Sequence, residues 1–96
     1  MKWELGIKEF KRFLTLEKSF STNSIEAYLR DVEALKAFLP ENTAPNDVTE
    51  SQIIDFINNL SEIGFSSHSQ ARMISGLRSF FRFLTSEEFI STDPTE

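Results

Sequence analysis

The sequence contains no cysteine. That excludes a disulfide framework and any thiolate zinc site, and it suits a reducing compartment. A single histidine excludes a His-rich metal site. With one tyrosine besides, no acid–base or nucleophile constellation for a stand-alone enzyme can be assembled. Three glycines and three prolines are too few for an all-β chain that turns about every 8–12 residues. Unbroken apolar runs stop at three residues (Ala27-Tyr28-Leu29 and Ala37-Phe38-Leu39), far short of the roughly 20 that a membrane helix needs. The opening Met1-Lys2-Trp3-Glu4-Leu5-Gly6 carries an acid where a signal peptide has its apolar core. The expectation is a cytoplasmic protein with no metal, no cofactor, no membrane association and no small-molecule substrate.

What the 96 residues do contain is phenylalanine, ten in all, within a chain that is 40% hydrophobic. The length suits one domain, residues 1–96, with a small core. The apolar residues recur at helical spacing. Trp3, Ile7, Phe10, Phe13 and Leu14 form one stripe over about residues 3–17. Ser21-Thr22-Asn23 then offers three N-cap residues in a row, with Asn23 and Glu26 at capping-box spacing. Ile25, Leu29, Val32, Leu35 and Leu39 make a second stripe that Pro40 ends. After a loop over 40–48, Thr49 and Gln52 form a capping box, with Val48 and Ile53 as its hydrophobic staple. Ile53, Phe56, Ile57, Leu60 and Ile63 continue that helix's buried face toward Gly64, a left-handed C-cap. A fourth helix starts at Ser66 or Ser67 and runs through Ile74, Leu77, Phe81 and Leu84, with Phe89 and Ile90 folding back over its end. The fold class these patterns predict is all-α, a compact four-helix orthogonal bundle.

A net charge of −5 argues against a nucleic-acid partner only while it is averaged. Residues 40–65 hold five acids and no base, and residues 87–96 hold four acids and no base. The fourth helix, over 66–86, holds Arg72, Arg78 and Arg82 and no acid. On a helical projection Met73, Ile74, Leu77, Phe80, Phe81 and Leu84 share an arc of about 120°. His68, Arg72, Ser75, Ser79 and Arg82 lie opposite, with Arg78 at the edge and Phe83 toward the polar side. Guanidinium forks and serine hydroxyls are the groups that hold phosphate oxygens and read guanine edges. A solvated face whose arginines pair with acids of the third helix fits the charge pattern too, and on that pattern alone is the better reading. Ser21, Thr22, Asn23 and Ser24 at the second helix start make a natural phosphate site, with Lys18 and Arg30 beside it. Simple capping needs only one or two of them.

Two stretches resemble a known family. Ser21-Thr22-Asn23-Ser24-Ile25-Glu26-Ala27-Tyr28-Leu29-Arg30-Asp31-Val32 is similar to the S-x-N-T-x-x-x-Y-x-x-D-L signature of the N-terminal domain of tyrosine recombinases, the phage integrases and Xer-type recombinases. Residues 69–84 resemble that domain's last helix, S-x-x-R-x-x-S-x-x-R-x-F-F-x-F-L, and Asp93-Pro94-Thr95 resembles the N/D-P-x leading into the catalytic domain. The resemblance covers nearly the whole chain in order and spacing. It implies a SAM-like core-binding domain that grips double-stranded recombination-site DNA as one half of a clamp. The second and fourth helices then supply much of the contact. It further implies a full-length protein that assembles as a tetramer on DNA, with its catalytic domain absent from this chain.

Thr22, Asn23, Tyr28 and Arg30 match the first motif, and Arg72, Ser75 and Arg78 the second, and the resemblance favours Ser21 over Asn23 as the cap of the second helix. Ser24 stands where the family more often has Thr, and His68 and Gln70 fall at variable positions. The expected DNA-binding set is Lys18, Ser21, Thr22, Asn23, Ser24, Tyr28, Arg30, His68, Ser69, Arg72, Ser75, Arg78, Ser79 and Arg82. No catalytic residue is expected, since Tyr28 sits at a structural or DNA-contact position and not at that of the nucleophile. The alternatives are a helical protein–protein interaction module with an arginine-rich face and an isolated helix-turn-helix regulator. Phe10, Phe13, Phe38, Phe56, Phe80 and Phe81 are read as core, Trp3 and Phe89 as core-edge closures, and Phe83 as a contact for a neighbouring domain or subunit.

Overall fold

Apolar residues at three- and four-residue spacing bury themselves by forming helices, and the computed structural model, which describes residues 1–96, contains four: α1 (Trp3–Leu16), α2 (Thr22–Phe38), α3 (Glu50–Glu62) and α4 (Ser67–Ser86). A short 3-10 turn, Pro45–Asp47, interrupts the long loop. There are no strands, in keeping with the helical spacing of the apolar residues. No helix is long and apolar enough to cross a membrane.

Helix starts and stops follow local chemistry. The Ser21 hydroxyl accepts the Ser24 amide (3.2 Å), so Ser21, and not Asn23, caps α2. The Thr49 hydroxyl accepts the Gln52 amide (3.1 Å), and the Gln52 side chain accepts the Thr49 amide (3.0 Å). This is the expected box. Gly64 closes α3 at φ 99°, where a side chain would be strained. The amides of Phe65 and Gly64 then bond back to the carbonyls of Leu60 and Ser61. After α4, Glu88 takes a positive φ of 61°. The chain turns there to return Ile90, which is buried, to the core.

One core holds the helices together. α4 lies at its centre and packs against α1, α2 and α3. Phe80 touches Trp3, Phe10 and Phe81, with ring centroids 6.1, 5.3 and 5.2 Å apart. Trp3 is buried and donates its indole N–H to the Thr43 carbonyl (2.7 Å), which ties α1 to the long loop.

Three expectations about the core change. Phe83 is buried inside the protein, 4.7 Å from Phe13 and 5.7 Å from Phe10 between ring centroids. The C-terminal half of α1 covers the side of α4 that a single-helix projection leaves to solvent. Phe38 stays 39% exposed, since it ends α2 and meets only the edge of α3 at Phe56. Ile63 is 63% exposed because it caps α3, one residue before the chain turns away.

Candidate nucleic-acid interface

α2 and α4 begin alike. The Ser66 hydroxyl accepts the Ser69 amide (3.1 Å) and donates to the Ser69 hydroxyl, as Ser21 does with Ser24. Each helix thereby presents hydroxyls beside the positive end of its dipole. The two helices pack with these ends on the same side. Ser24, Ala27 and Tyr28 of α2 face His68, Ala71, Arg72 and Ser75 of α4 across a shallow surface groove. Of the residues expected from sequence, the structure brings Ser24, Tyr28, His68, Arg72 and Ser75 together in this groove, while Ser21 caps α2 and Ser69 lies in the first turn of α4. Thr22, Asn23 and Arg30 are exposed on α2. The Tyr28 ring is half-buried, edge-on to Phe10 and stacked on Phe20.

The other expected residues sit elsewhere. Arg78 and Arg82 line a second cavity with Thr85, Ser86, Asp93, Thr95 and Glu96. It lies farther along α4, under the C-terminal segment. The ammonium of Lys18 lies 5.7 Å from the centroid of the Phe13 ring, a cation–π contact, and does not line the groove. Ser79 is half-buried.

The arginines do not pair with the third helix. The one ion pair of the structure joins Arg72 to Asp31 of α2, Nη2 to Oδ1 at 2.8 Å and Nη1 to Oδ2 at 3.2 Å. Asp31 is 2% exposed at its side chain and Arg72 54%. This two-bond fork is the strongest geometry for a guanidinium and a carboxylate, and it pins α4 to α2. Gly76, one turn after Arg72, gives the carboxylate its room. A methyl group there would collide with Asp31 Oδ2 and sit 3.2 Å from its Cγ. Asp31 and Gly76 are absent from the sequence-based set. Their signals were an acid on the apolar stripe of α2, between Tyr28 and Leu35, and a glycine where helix propensity disfavours it.

Burial pushes the Asp31 carboxyl above its ordinary 3.8, against the opposing pull of the Arg72 hydrogen bonds and of the Arg72 and Arg30 charges. Burial wins because water hardly reaches the group. A carboxyl raised by folding binds its proton more tightly in the native state. Its contribution to stability is therefore full below the unfolded value and declines as pH rises through the folded one. Urea unfolding of the wild type and of Asp31→Asn over pH 3–7 (roughly the carboxylate range and above) should show the wild-type advantage falling as pH rises. An advantage that grows with pH would refute the assignment.

Four helices around a phenylalanine-rich core, with a serine-capped and arginine-bearing face across α2 and α4, define a small all-α domain of the SAM-like class. The chain belongs to the family described as phage integrase, N-terminal SAM-like domain, whose model matches residues 7–88. It is 38% identical over 100 residues to a tyrosine recombinase XerD of Chlorobaculum tepidum, covering 98% of this chain and 31% of that protein. It is 40% identical over 91 residues to a XerD of Staphylococcus epidermidis, covering 93% and 31%. A tyrosine recombinase XerC of Roseiflexus castenholzii is 36% identical over 92 residues, covering 94% and 29%. The chain thus spans about a third of the length of these relatives. No solved structure matches it.

Proposed function

We propose that this domain binds double-stranded DNA as one half of the clamp by which a site-specific tyrosine recombinase holds its recombination site. The observation that carries the reading is the acid-free α4, which bears Arg72 in the groove beside the capped N-termini of α2 and α4, and Arg78 and Arg82 farther along its length. In this reading Ser21, Thr22, Asn23, Ser24 and Ser69 offer hydroxyls, an amide and backbone N–H groups to phosphates. Arg78 and Arg82 supply net positive charge, and Arg30 and Lys18 add charge at the periphery. In the same reading Tyr28, His68, Ser75 and Ser79 contact the duplex. The domain grips without cutting. Strand breakage and rejoining belong to the part of a recombinase beyond the span shared with the relatives, and the assembled tetramer on DNA works in the cytoplasm.

Phosphate neutralisation releases counterions, so affinity should fall linearly with salt on a double-logarithmic scale. In a fluorescence titration of a labelled duplex, Arg78→Ala and Arg82→Ala should each flatten that line by about 0.9 and weaken binding evenly across sequences. The acidic loop and tail oppose approach, so the domain by itself should bind weakly. Affinity unchanged between low and physiological salt would sink the proposal.

A further inference from the structure

The proposed interface contains arginines in two different electrical states. Arg78 and Arg82 stand without a carboxylate within ion-pair distance, whereas Arg72 shares its guanidinium with Asp31 through two bonds of 2.8 and 3.2 Å. The pair lies at the boundary of the protein. Its acid is sealed beneath the surface and its base is half exposed in the groove. A guanidinium has five N–H donors. Asp31 engages two, leaving three on a plane whose orientation the two-bond fork fixes. The arrangement depends on α4 lacking a side chain at Gly76, since a Cβ there would occupy the place of the carboxylate.

From this geometry we infer that Asp31 is a positioning residue for DNA binding, a role that rests on the groove being the DNA-binding surface. It cancels the net charge of Arg72 and turns that side chain into an oriented hydrogen-bond donor in the groove between α2 and α4, while Arg78 and Arg82 act as the free cations. A free arginine at the surface samples many rotamers and contributes mainly through its charge. Arg72 is held in one orientation before DNA arrives. Little of its freedom remains to be lost on binding, and its contribution is directional. An isolated charge tolerates any acceptor within reach, but a fixed fork selects the acceptor that lies on its plane.

The two roles separate in salt dependence. The 96-residue chain is titrated with a labelled DNA duplex at neutral pH over a series of salt concentrations, with affinities corrected for the folded fraction by far-UV circular dichroism. Arg78→Ala should reduce the slope by about 0.9, the value for one lost phosphate neutralisation. Removing both partners keeps the local charge at zero, so the double variant Asp31→Asn/Arg72→Ala should bind about tenfold more weakly than the wild type at every salt concentration, the worth of one charge-assisted hydrogen bond, and keep the wild-type slope. Arg72→Lys keeps the charge without the planar fork and should lose as much. Asp31→Asn releases the charge of Arg72 and should steepen the slope by about 0.9.

A slope that flattens in the double variant as it does in Arg78→Ala would overturn the inference. So would unchanged affinity of the folded double variant, because a purely structural pair moves stability alone. Should the Asp31 variants fail to fold, Arg72→Lys decides: a tenfold loss at an unchanged slope supports the role, and unchanged affinity overturns it. Salt-independent binding by the wild type would overturn the DNA-binding reading itself, and this role with it. Normal salt dependence with identical slopes for the double variant and Arg78→Ala would overturn this role alone.

Discussion

Replacing Phe80 by alanine should cost about 3–5 kcal/mol of folding stability, the range for truncating a fully buried aromatic side chain. Phe80 has no exposed surface. Its ring is where α1 and α4 meet, contacting Trp3 and Phe10 of α1 and Phe81 of its own helix. Opposite it α1 carries Gly6, where an added Cβ would stand 3.4 Å from Phe80 Cζ. The ring therefore fills a space that the backbone of α1 has approached closely, and nearby side chains are already committed to other contacts. Domains of this size hold roughly 5–15 kcal/mol in total, so the loss removes a large share. At about 4–8 °C per kcal/mol, thermal denaturation followed by circular dichroism should show a midpoint at least about 12 °C lower. Phe80→Leu, which keeps most of the volume, should lose much less. A midpoint shift of only a few degrees for Phe80→Ala would mean that the site collapses around the cavity and that the ring is not the joint described.

Gly76→Ala sets two physical effects against each other. Helix propensity alone predicts a gain of about 1 kcal/mol, because glycine inside a helix pays backbone entropy that alanine does not. The tertiary structure predicts the reverse. The new methyl group would occupy the place of the Asp31 carboxylate, which is held there by Arg72. Either the carboxylate leaves its partner or α2 moves away from α4, and overpacking of this kind costs about 1–3 kcal/mol. The expected net result is destabilisation by about that amount. A double-mutant cycle isolates the cause. In an Asp31→Ala background the obstacle is gone, and Gly76→Ala should become neutral or stabilising. Equal effects of Gly76→Ala in both backgrounds would show that Asp31 is not what the missing Cβ accommodates.

Much of the fold was legible in the residues. The Thr49–Gln52 box and the Gly64 cap are short-range devices whose partners lie within a few positions, so they can be read before any tertiary contact is known. The choice between Ser21 and Asn23 as the α2 cap was legible in the family resemblance, which favours Ser21, and not in capping chemistry alone. Both are good acceptors, and the selection depends on where the buried stripe beginning at Ile25 requires the first turn to start. Ser19, which takes a positive φ of 53° in the α1–α2 turn, carries no signal at all, because nothing distinguishes a serine forced into that conformation from one that is not.

The candidate interface divides along the same line. The clustering of three arginines on an acid-free helix is a property of composition along the chain, and it survives folding intact. Which of those arginines remain free cations is a property of three-dimensional proximity. Asp31 and Arg72 lie 41 positions apart, and no helical period relates them. The sequence pointed to the third helix for compensating acids because that is where acids are dense. The structure takes its one compensating acid from α2, which packs directly on α4, and leaves the acids of α3 to solvent.

What the chain lacks determined the class of this protein. Without cysteine, and with few turn formers and no long apolar run, a phenylalanine-rich chain with helical periodicity has little choice but a small bundle of amphipathic helices. These constraints are local and compositional, and the sequence expresses them directly. Only the tertiary structure decided that Phe83 belongs to the core, that Gly76 is a socket, and that the buried Asp31 holds Arg72. Each depends on a second helix arriving at a particular place, and the surface of one helix cannot say which of its faces another will cover.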